Sequence, residues 1–260
     1  MKHKIRRACS TAIWILLLRH ICRKAEKSIM HSMTHALRVL RQGGVIVYPT
    51  ETSYALGCDA RSKRGVAAIF KLKGRASEKK LPVIAGSYTQ ARCFFKWNKH
   101  VERLARHYWP GPLTILLEPK KSLPVSRGGG VAVRVSSDEV ARRLARGLGA
   151  PLVSTSANVS GKPACFSVLE LKKQFGSRLK DVVIIDAGVL KPGKPSTIVR
   201  LTADGIVEVI RYGSVLVFEA VRRRRGLVPE GARRRGRNER AAGSARSAAE
   251  KTNTEQLKRC

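Results

Sequence analysis

Between residues 33 and 214, short apolar runs alternate with segments whose apolar residues recur at helical spacing. Runs such as Val45–Tyr48, Leu113–Leu117 and Val131–Val135 have the length and composition of buried strands. The segments between the runs, for example 101–108 and 168–175, predict amphipathic helices. Strands and helices in such alternation predict a single α/β domain of mixed α+β character, in which helices flank one sheet of parallel and antiparallel strands.

Several element boundaries follow from capping and turn residues. Ser62 is expected to cap a helix that runs through Leu72, and Ser137 to cap the helix 138–148. The polar stretch 48–54 directly after the first strand is expected to form a tight turn.

The two ends of the chain differ from this middle part. Residues 1–32 combine basic residues with an apolar run from Ala8 to Leu18, which is short against the ~20 residues of a membrane span. Two interpretations of this segment remain open. It forms a helix on a membrane surface, or Met1 lies upstream of the start that the cell uses. Residues 215–260 are polar and arginine-rich, so we expect a disordered tail. The sequence thus predicts an N-terminal extension (1–32), a folded domain (33–214) and a tail (215–260), without stable membrane insertion.

The chain carries a formal net charge of +34, and the middle stays strongly basic when both ends are set aside. Such a charge favours phosphate-bearing partners, which include nucleotides, RNA and acidic membranes. Hydrophobic residues make up 43% of the chain, which excludes disorder along its whole length.

Standard nucleotide and metal motifs are missing from the sequence. No G-x-G-x-x-G follows a strand, and the glycine-rich stretch 188–195 is not a P-loop because Pro195 stands where a serine or threonine should be. The cysteines are scattered without paired spacing, so no zinc site is predicted. We expect no dedicated metal-binding residues.

Polar loops follow several of the predicted strands, where ligands of open α/β sheets bind. Hydroxyls and one carboxylate crowd the turn Thr50–Ser53, and small polar residues occupy 154–160 after another strand. Lys73 and Arg75 are separated by one glycine, and in an extended segment they would share a face suited to a phosphate or carboxylate. An ordinary polar turn and a solvated charge cluster are the alternative interpretations.

Two arginines stand at the ends of apolar strands, Arg134 after Val131–Val133 and Arg211 after Val207–Ile210. A charge in that place marks a site or a strand end that reaches solvent. The hydroxyls of Ser196 and Thr197 begin another predicted strand.

Taken in order, these segments resemble the signature of the YrdC/TsaC family, in its short form without an extra C-terminal domain. The matching segments are Pro49-Thr-Glu-Thr52, Lys73-Gly-Arg75, Trp109-Pro-Gly-Pro-Leu-Thr114, Val133-Arg134-Val135, Ser156-Ala-Asn158-Val-Ser-Gly161-Lys-Pro163 and Pro195-Ser-Thr-Ile198. Each segment alone is a weak signal, whereas the ordered set is specific. The resemblance implies a YrdC-like domain whose twisted mixed sheet has a basic concave face.

The resemblance also implies an activity. Members of this family are nucleotidyltransferases that make L-threonylcarbamoyladenylate and pyrophosphate from L-threonine, bicarbonate and ATP. Mg²⁺ is expected to arrive with the nucleotide. Partner proteins then transfer the threonylcarbamoyl group to adenosine 37 of tRNA, giving the t6A modification, in the cytoplasm. Such chemistry needs positioning and charge neutralisation more than a nucleophilic side chain.

The functional residues of the family are assigned to this chain only at positions that match the family motifs. The resemblance implies that Lys73 and Arg75 are catalytic, and it divides the remaining contacts between the two substrates. ATP would contact Lys73, Arg75, Lys79, Ser156, Asn158 and Arg211. Threonine would contact Thr52, Arg134, Ser154 and Thr197.

The chain departs from the family pattern at four positions. Ala55 replaces a glycine, Ala76 a proline, Ala164 a serine and Tyr212 a proline. The change at Ala164 removes one hydroxyl that a phosphate could contact.

Two other functions compete with the synthase. A basic domain of the same fold could bind tRNA or another structured RNA without turnover, helped by the arginine-rich tail. A sugar-phosphate lyase on a related fold would need an acidic metal cluster, which the sequence lacks.

Overall fold

The computed structural model of the protein describes residues 32–74, 80–126, 130–202 and 204–217. The N-terminal apolar run, Arg75, Lys79 and the arginine-rich tail lie outside these ranges. Among the helices that are described, none has the length and apolar character needed to cross a membrane.

Six α-helices and ten strands build the described part of the chain, together with a short 3-10 helix at Gly176–Leu179. The helices are α1 (32–41), α2 (Lys63–Lys73), α3 (Tyr88–Phe94), α4 (Lys99–Tyr108), α5 (Glu139–Leu148) and α6 (Val168–Phe175). The strands are β1 (Ile46–Pro49), β2 (Tyr54–Gly57), β3 (Val83–Ile84), β4 (Leu113–Leu117), β5 (Val131–Arg134), β6 (Leu152–Val153), β7 (Thr155–Ser156), β8 (Val183–Ile184), β9 (Thr197–Leu201) and β10 (Val207–Arg211). The predicted mixed α/β class is confirmed.

The strands divide between two mixed sheets, a point on which the structure differs from the single sheet that we expected. One sheet has the order β7-β2-β1-β8 and the other the order β10-β9-β4-β5-β3-β6. In the first sheet β1 pairs antiparallel with β2 and parallel with β8. In the second sheet β4 pairs antiparallel with β5 and parallel with β9.

Alternate residues of β1 pack into two hydrophobic cores. Val47 belongs to the larger core, which also holds residues of α2 and α4, whereas Ile46 and Tyr48 belong to a smaller core with α1 and α5. All four residues of β1 are buried, so both faces of this strand are covered. A run of apolar residues without polar alternation is what such a strand requires.

Helix caps explain where α2 and α5 begin. The Ser62 side chain accepts a hydrogen bond from Gly65 N, as the sequence predicts, and α2 ends at Gly74 in the left-handed conformation. The cap of α5 is Asp138 and not Ser137, since the Asp138 side chain accepts from Ala141 N. The prediction was one residue early because serine and aspartate are both good N-caps.

Candidate functional site

A cleft of about 620 Å³ opens between the two sheets. The first sheet contributes residues of the β1–β2 turn and of β7, and the second contributes residues of β4, β5, β9 and β10. Its described lining includes the cations Lys80, Arg134 and Arg211 but no aspartate or glutamate. The cleft is therefore a basic site suited to an anionic ligand.

Hydrogen bonds of Thr50 shape the turn between β1 and β2. Its hydroxyl donates to the Ser53 carbonyl oxygen at 2.7 Å and lies 3.1 Å from the Thr52 hydroxyl. The Thr50 hydroxyl in turn accepts a hydrogen bond from Ser53 N at 3.3 Å. The turn thereby holds Thr52 and Ser53 at the cleft lining.

Arg134 ends β5 and is buried at 9% exposure while still lining the cleft. Its Nε lies 3.6 Å from Oε1 of Glu51, whose other carboxylate oxygen accepts a hydrogen bond from the Ser136 hydroxyl. The ion pair joins the turn of the first sheet to a strand of the second. Because a guanidinium is a fork of N–H donors, Arg134 is suited to bind a carboxylate in the cleft.

Arg211 reaches the cleft from the end of β10. Its Nη2 donates to the Ser196 carbonyl oxygen at 2.8 Å, which fixes the guanidinium. Burial, and then the positive charge of Arg134, lower the pKa of Arg211 from its ordinary value. Two arginines close enough to repel each other favour an anion between or beside them.

Lys73, the last residue of α2, points into the turn that follows β7. The side chain is buried at 3% exposure, and its ammonium donates to the carbonyl oxygens of Ser156 and Asn158 and to Asn158 Oδ1. The Ser156 hydroxyl donates to the same Asn158 Oδ1 at 2.6 Å. Ser156 itself is exposed and lines the cleft.

Five of the candidate residues line the cleft together: Thr52, Arg134, Ser154, Ser156 and Arg211. Lys73, Asn158 and Thr197 are described but are not part of the lining. Thr197 is buried at 1% exposure, and its hydroxyl donates to the Val215 carbonyl oxygen while accepting from Gly213 N. Arg75 and Lys79 fall outside the described residues.

Other lining residues were not among the candidates. Lys80, Thr114, Gly193 and Ser196 all line the cleft. Lys80 and Ser196 were visible as a charge and a hydroxyl beside motif residues, whereas Gly193 offers backbone alone and gave no chemical signal. Ala164, where the resemblance led us to expect a serine, is also part of the lining.

Metal ligands are sparse in this region. Among residues 32–74, 80–126, 130–202 and 204–217, no three His, Cys, Asp or Glu side chains are grouped so that they could hold a metal ion.

Residues 38–213 match a family model of the Sua5, YciO and YrdC proteins, described as "Telomere recombination". The chain belongs to this family. The ordered motifs that indicated the YrdC/TsaC family are thereby confirmed as a family signal.

Similar proteins of this family include named synthases. The threonylcarbamoyl-AMP synthase of Thiobacillus denitrificans is 37% identical over 172 residues, which are 65% of this chain and 90% of that protein. The threonylcarbamoyl-AMP synthase of Pyrococcus abyssi is 35% identical over 167 residues, covering 63% of this chain. The chain spans 48% of the length of that archaeal protein.

Solved structures of the family share the fold. The structure of P. abyssi Sua5 complexed with L-threonine aligns with a TM-score of 0.64 and 32% identity, over 70% of this chain and 54% of that chain. The structure of E. coli YciO aligns with a TM-score of 0.60 and 28% identity, over 70% of this chain and 88% of that chain.

Proposed function

We propose that this protein is a threonylcarbamoyl-AMP synthase that supplies the activated group for the t6A modification of tRNA. The observation that carries the proposal is the basic cleft between the sheets, where Arg134, Arg211 and a set of hydroxyls meet. Relatives of that name at 35–37% identity support it.

The reaction joins three substrates. The threonine amine takes up bicarbonate to form a carbamate with loss of water. A carbamate oxygen then attacks the α-phosphorus of ATP, and the bond to the β-phosphate breaks so that pyrophosphate leaves. Attacking and leaving groups are both anions, so catalysis depends on holding negative charges close together in one orientation.

Arg134 is proposed to bind the threonine carboxylate. Its burial strengthens a charge-assisted hydrogen bond relative to one in water, and the Glu51 contact limits where the guanidinium can go. Thr52 and Ser154 line the same cleft and are proposed to bind the remaining polar groups of threonine. Thr197 is proposed to act from behind them, through the segment 213–215 that its hydroxyl holds.

ATP is proposed to lie toward Arg211 and Ser156, with Asn158 supporting Ser156. Arg75 and Lys79 complete this proposed set, and Lys80 adds a cation that the family motif does not predict. Lys73, which the resemblance assigns to ATP, supports the set through its hydrogen bonds to Ser156 and Asn158. Mg²⁺ is proposed to enter bound to the triphosphate, because it prefers phosphate and water oxygens to a protein cage. Cytoplasmic t6A transferase proteins are proposed as the recipients of the product.

Pyrophosphate release by the full-length protein tests the proposal. The protein is given ATP, Mg²⁺ and bicarbonate, with or without L-threonine, and the Arg75→Ala variant is measured beside it. We expect release that depends on threonine and collapses in the variant. Pyrophosphate release that does not depend on threonine, from protein shown to be folded, would contradict the proposal. Salt-dependent binding of tRNA without any turnover would instead support the RNA-binding alternative.

A further inference from the structure

We propose that Lys73 is a positioning residue, whose ammonium holds the Ser156–Asn158 turn in place instead of contacting the phosphates of ATP. The inference rests on the proposed synthase function for its consequences in catalysis. It concerns a residue that the family motif alone would place on the nucleotide.

The hydrogen bonds of Lys73 are the first support. An ammonium has three N–H donors and no acceptor. The Lys73 ammonium has three oxygens within hydrogen-bond distance: the Ser156 carbonyl, the Asn158 carbonyl at 2.9 Å and Asn158 Oδ1 at 3.0 Å. Each donor therefore has an acceptor inside the protein. Turning toward a phosphate would take the donor away from three partly buried oxygens at once, and each lost hydrogen bond costs about 1 kcal/mol.

Burial is the second support. Lys73 is 3% exposed and is absent from the cleft lining, whereas Lys80 is exposed and lines the cleft. The backbone adds to the anchoring, because Ser160 N donates to the Lys73 carbonyl oxygen at 2.9 Å. Side chain and backbone of the last residue of α2 thus hold the same turn.

The orientation of Asn158 links this anchor to the cleft. Because an ammonium only donates, the Asn158 atom that faces it has to be the carbonyl oxygen. The Ser156 hydroxyl, 2.6 Å from that oxygen, therefore donates to it. What Ser156 offers a ligand is a pair of oxygen lone pairs, which suit a hydroxyl or amino group of the nucleotide better than a phosphate oxygen. Lys73 thereby sets the polarity of a cleft residue that it does not touch directly.

Nucleotide binding separates this role from a direct phosphate contact. Equilibrium affinities for ATP and for AMP are measured in the full-length protein and in Lys73→Met, with Lys71→Met as the matched control. Lys71 lies on the same helix but is exposed. We expect Lys73→Met to lower the affinity for ATP and for AMP by the same factor, roughly tenfold. Lys71→Met should change neither affinity. A loss confined to ATP would overturn the proposal, since only ATP carries the β- and γ-phosphates.

Amide hydrogen exchange provides a readout that does not depend on turnover. We expect the amides of 157–160 to exchange faster in Lys73→Met than in Lys71→Met, because the turn loses its anchor. Unchanged exchange in a folded Lys73→Met variant would overturn the positioning role. Faster exchange in a protein that shows no threonine-dependent pyrophosphate release would leave that role standing while the synthase proposal fails.

A milder variant covers the case in which Lys73→Met does not fold. Asn158→Ala removes one acceptor of the ammonium and the oxygen that orients Ser156. We expect it also to weaken ATP and AMP equally. If Asn158→Ala raised the affinity for ATP alone, because the lysine is then free to turn toward the phosphates, the positioning role would be wrong.

Discussion

Arg134 is the residue on which the proposed recognition of threonine depends most. Its guanidinium is a planar fork, whereas a lysine ammonium is a point charge that cannot form two parallel hydrogen bonds to a carboxylate. We expect Arg134→Lys to raise the KM for threonine by about tenfold to a hundredfold, since a charge-assisted hydrogen bond is lost. The KM for ATP should change much less. Steady-state pyrophosphate release with each substrate varied in turn checks both values.

Arg200→Lys is the matched control for that experiment. Arg200 lies on the neighbouring strand β9, is exposed and pairs with Glu208 at 3.8 Å outside the cleft lining. The Arg200→Lys variant should leave the KM values for threonine and for ATP unchanged. An Arg134→Lys variant that affects ATP and threonine equally would argue against a specific carboxylate contact.

The direction of the Lys73 side chain differs from the one that the sequence predicted. We expected Lys73 and Arg75 to share one face of an extended segment, but Lys73 is the last residue of a helix and Gly74 then takes a left-handed conformation. Helical geometry sends the Lys73 side chain toward Asn158. A residue pattern two apart does not distinguish a helix end from a strand, so this direction could not be derived.

Among the elements, α5 has as its N-cap a carboxyl, Asp138, whose charge opposes folding. Burial, and then the nearby charge of Glu51, raise the pKa of Asp138 above its ordinary value, against the lowering by backbone N–H groups and Arg142. The folded protein keeps this proton to a higher pH than the unfolded chain does. The contribution of Asp138 to the free energy of unfolding therefore falls as the pH rises through these two pKa values.

Asp138→Asn tests that conclusion because asparagine caps a helix about as well as aspartate and does not titrate. We expect the variant to be at least as stable as the parent at pH 7, with its advantage shrinking as the pH is lowered toward 4. Urea unfolding across this range measures the difference. A variant that is less stable at pH 7 and gains nothing with rising pH would refute the assigned sign.

The loop after β8 is held to β2 by the Tyr54 hydroxyl, and a backbone hydrogen bond from Leu190 N to Phe166 O holds it further along. Tyr54 on β2 donates to the Gly188 carbonyl oxygen at 2.8 Å and accepts from Ala187 N at 2.9 Å. Further along this loop, Gly193 lines the cleft, and a Cβ there would approach the Glu51 carbonyl oxygen to 3.1 Å. The loop thus packs closely against the turn that carries Thr52.

Tyr54→Phe removes the hydroxyl and leaves the Gly188 carbonyl oxygen and Ala187 N without this partner. We expect the free energy of unfolding to fall by about 1–3 kcal/mol, with a higher KM for threonine. Thermal unfolding and kinetics measure the two effects, and Tyr212→Phe is the control because Tyr212 is 76% exposed. Unaltered stability in Tyr54→Phe would show that other contacts hold the loop.

Most longer elements could be predicted, whereas two short strands could not. The apolar runs of β4 and β5 and the amphipathic α5 gave clear periodic signals, and they lie within one or two residues of their predicted bounds. β2 and β7 were not predicted as strands. β2 follows a polar turn without alternation, and β7 has only two residues, Thr155 and Ser156, so neither has a local pattern. The strand character of β2 comes from pairing with β1 and β7, and that of β7 from pairing with β2.

At the scale of the whole molecule, the division of the strands into two sheets could not be predicted from the sequence. β1 pairs with β8, and β4 pairs with β9, across long stretches of chain. Such pairings depend on how every intervening helix packs, and no local residue pattern encodes them. Five of the candidate residues nonetheless line one cleft, because the loops and ends of neighbouring strands lie together once the sheets form.

The domain boundaries stay a prediction, which trimming the chain would check. We expect a chain of residues 33–218 to fold with an unchanged melting temperature and to keep full threonine-dependent activity, since the cleft is built within this range. Circular dichroism and pyrophosphate release compare it with the full chain. A large drop in activity with intact folding would show that the ends take part in the reaction.

The enclosure of Lys73 also bears on chemical self-damage. The proposed product is a mixed anhydride of a carbamate and a phosphate, and such compounds acylate amines that carry a free electron pair. Three oxygens surround the Lys73 nitrogen, which is part of a side chain only 3% exposed, so an acyl group has no open approach to it. A lysine beside the turn that lines the cleft is thereby protected from the acylating agent that the enzyme makes.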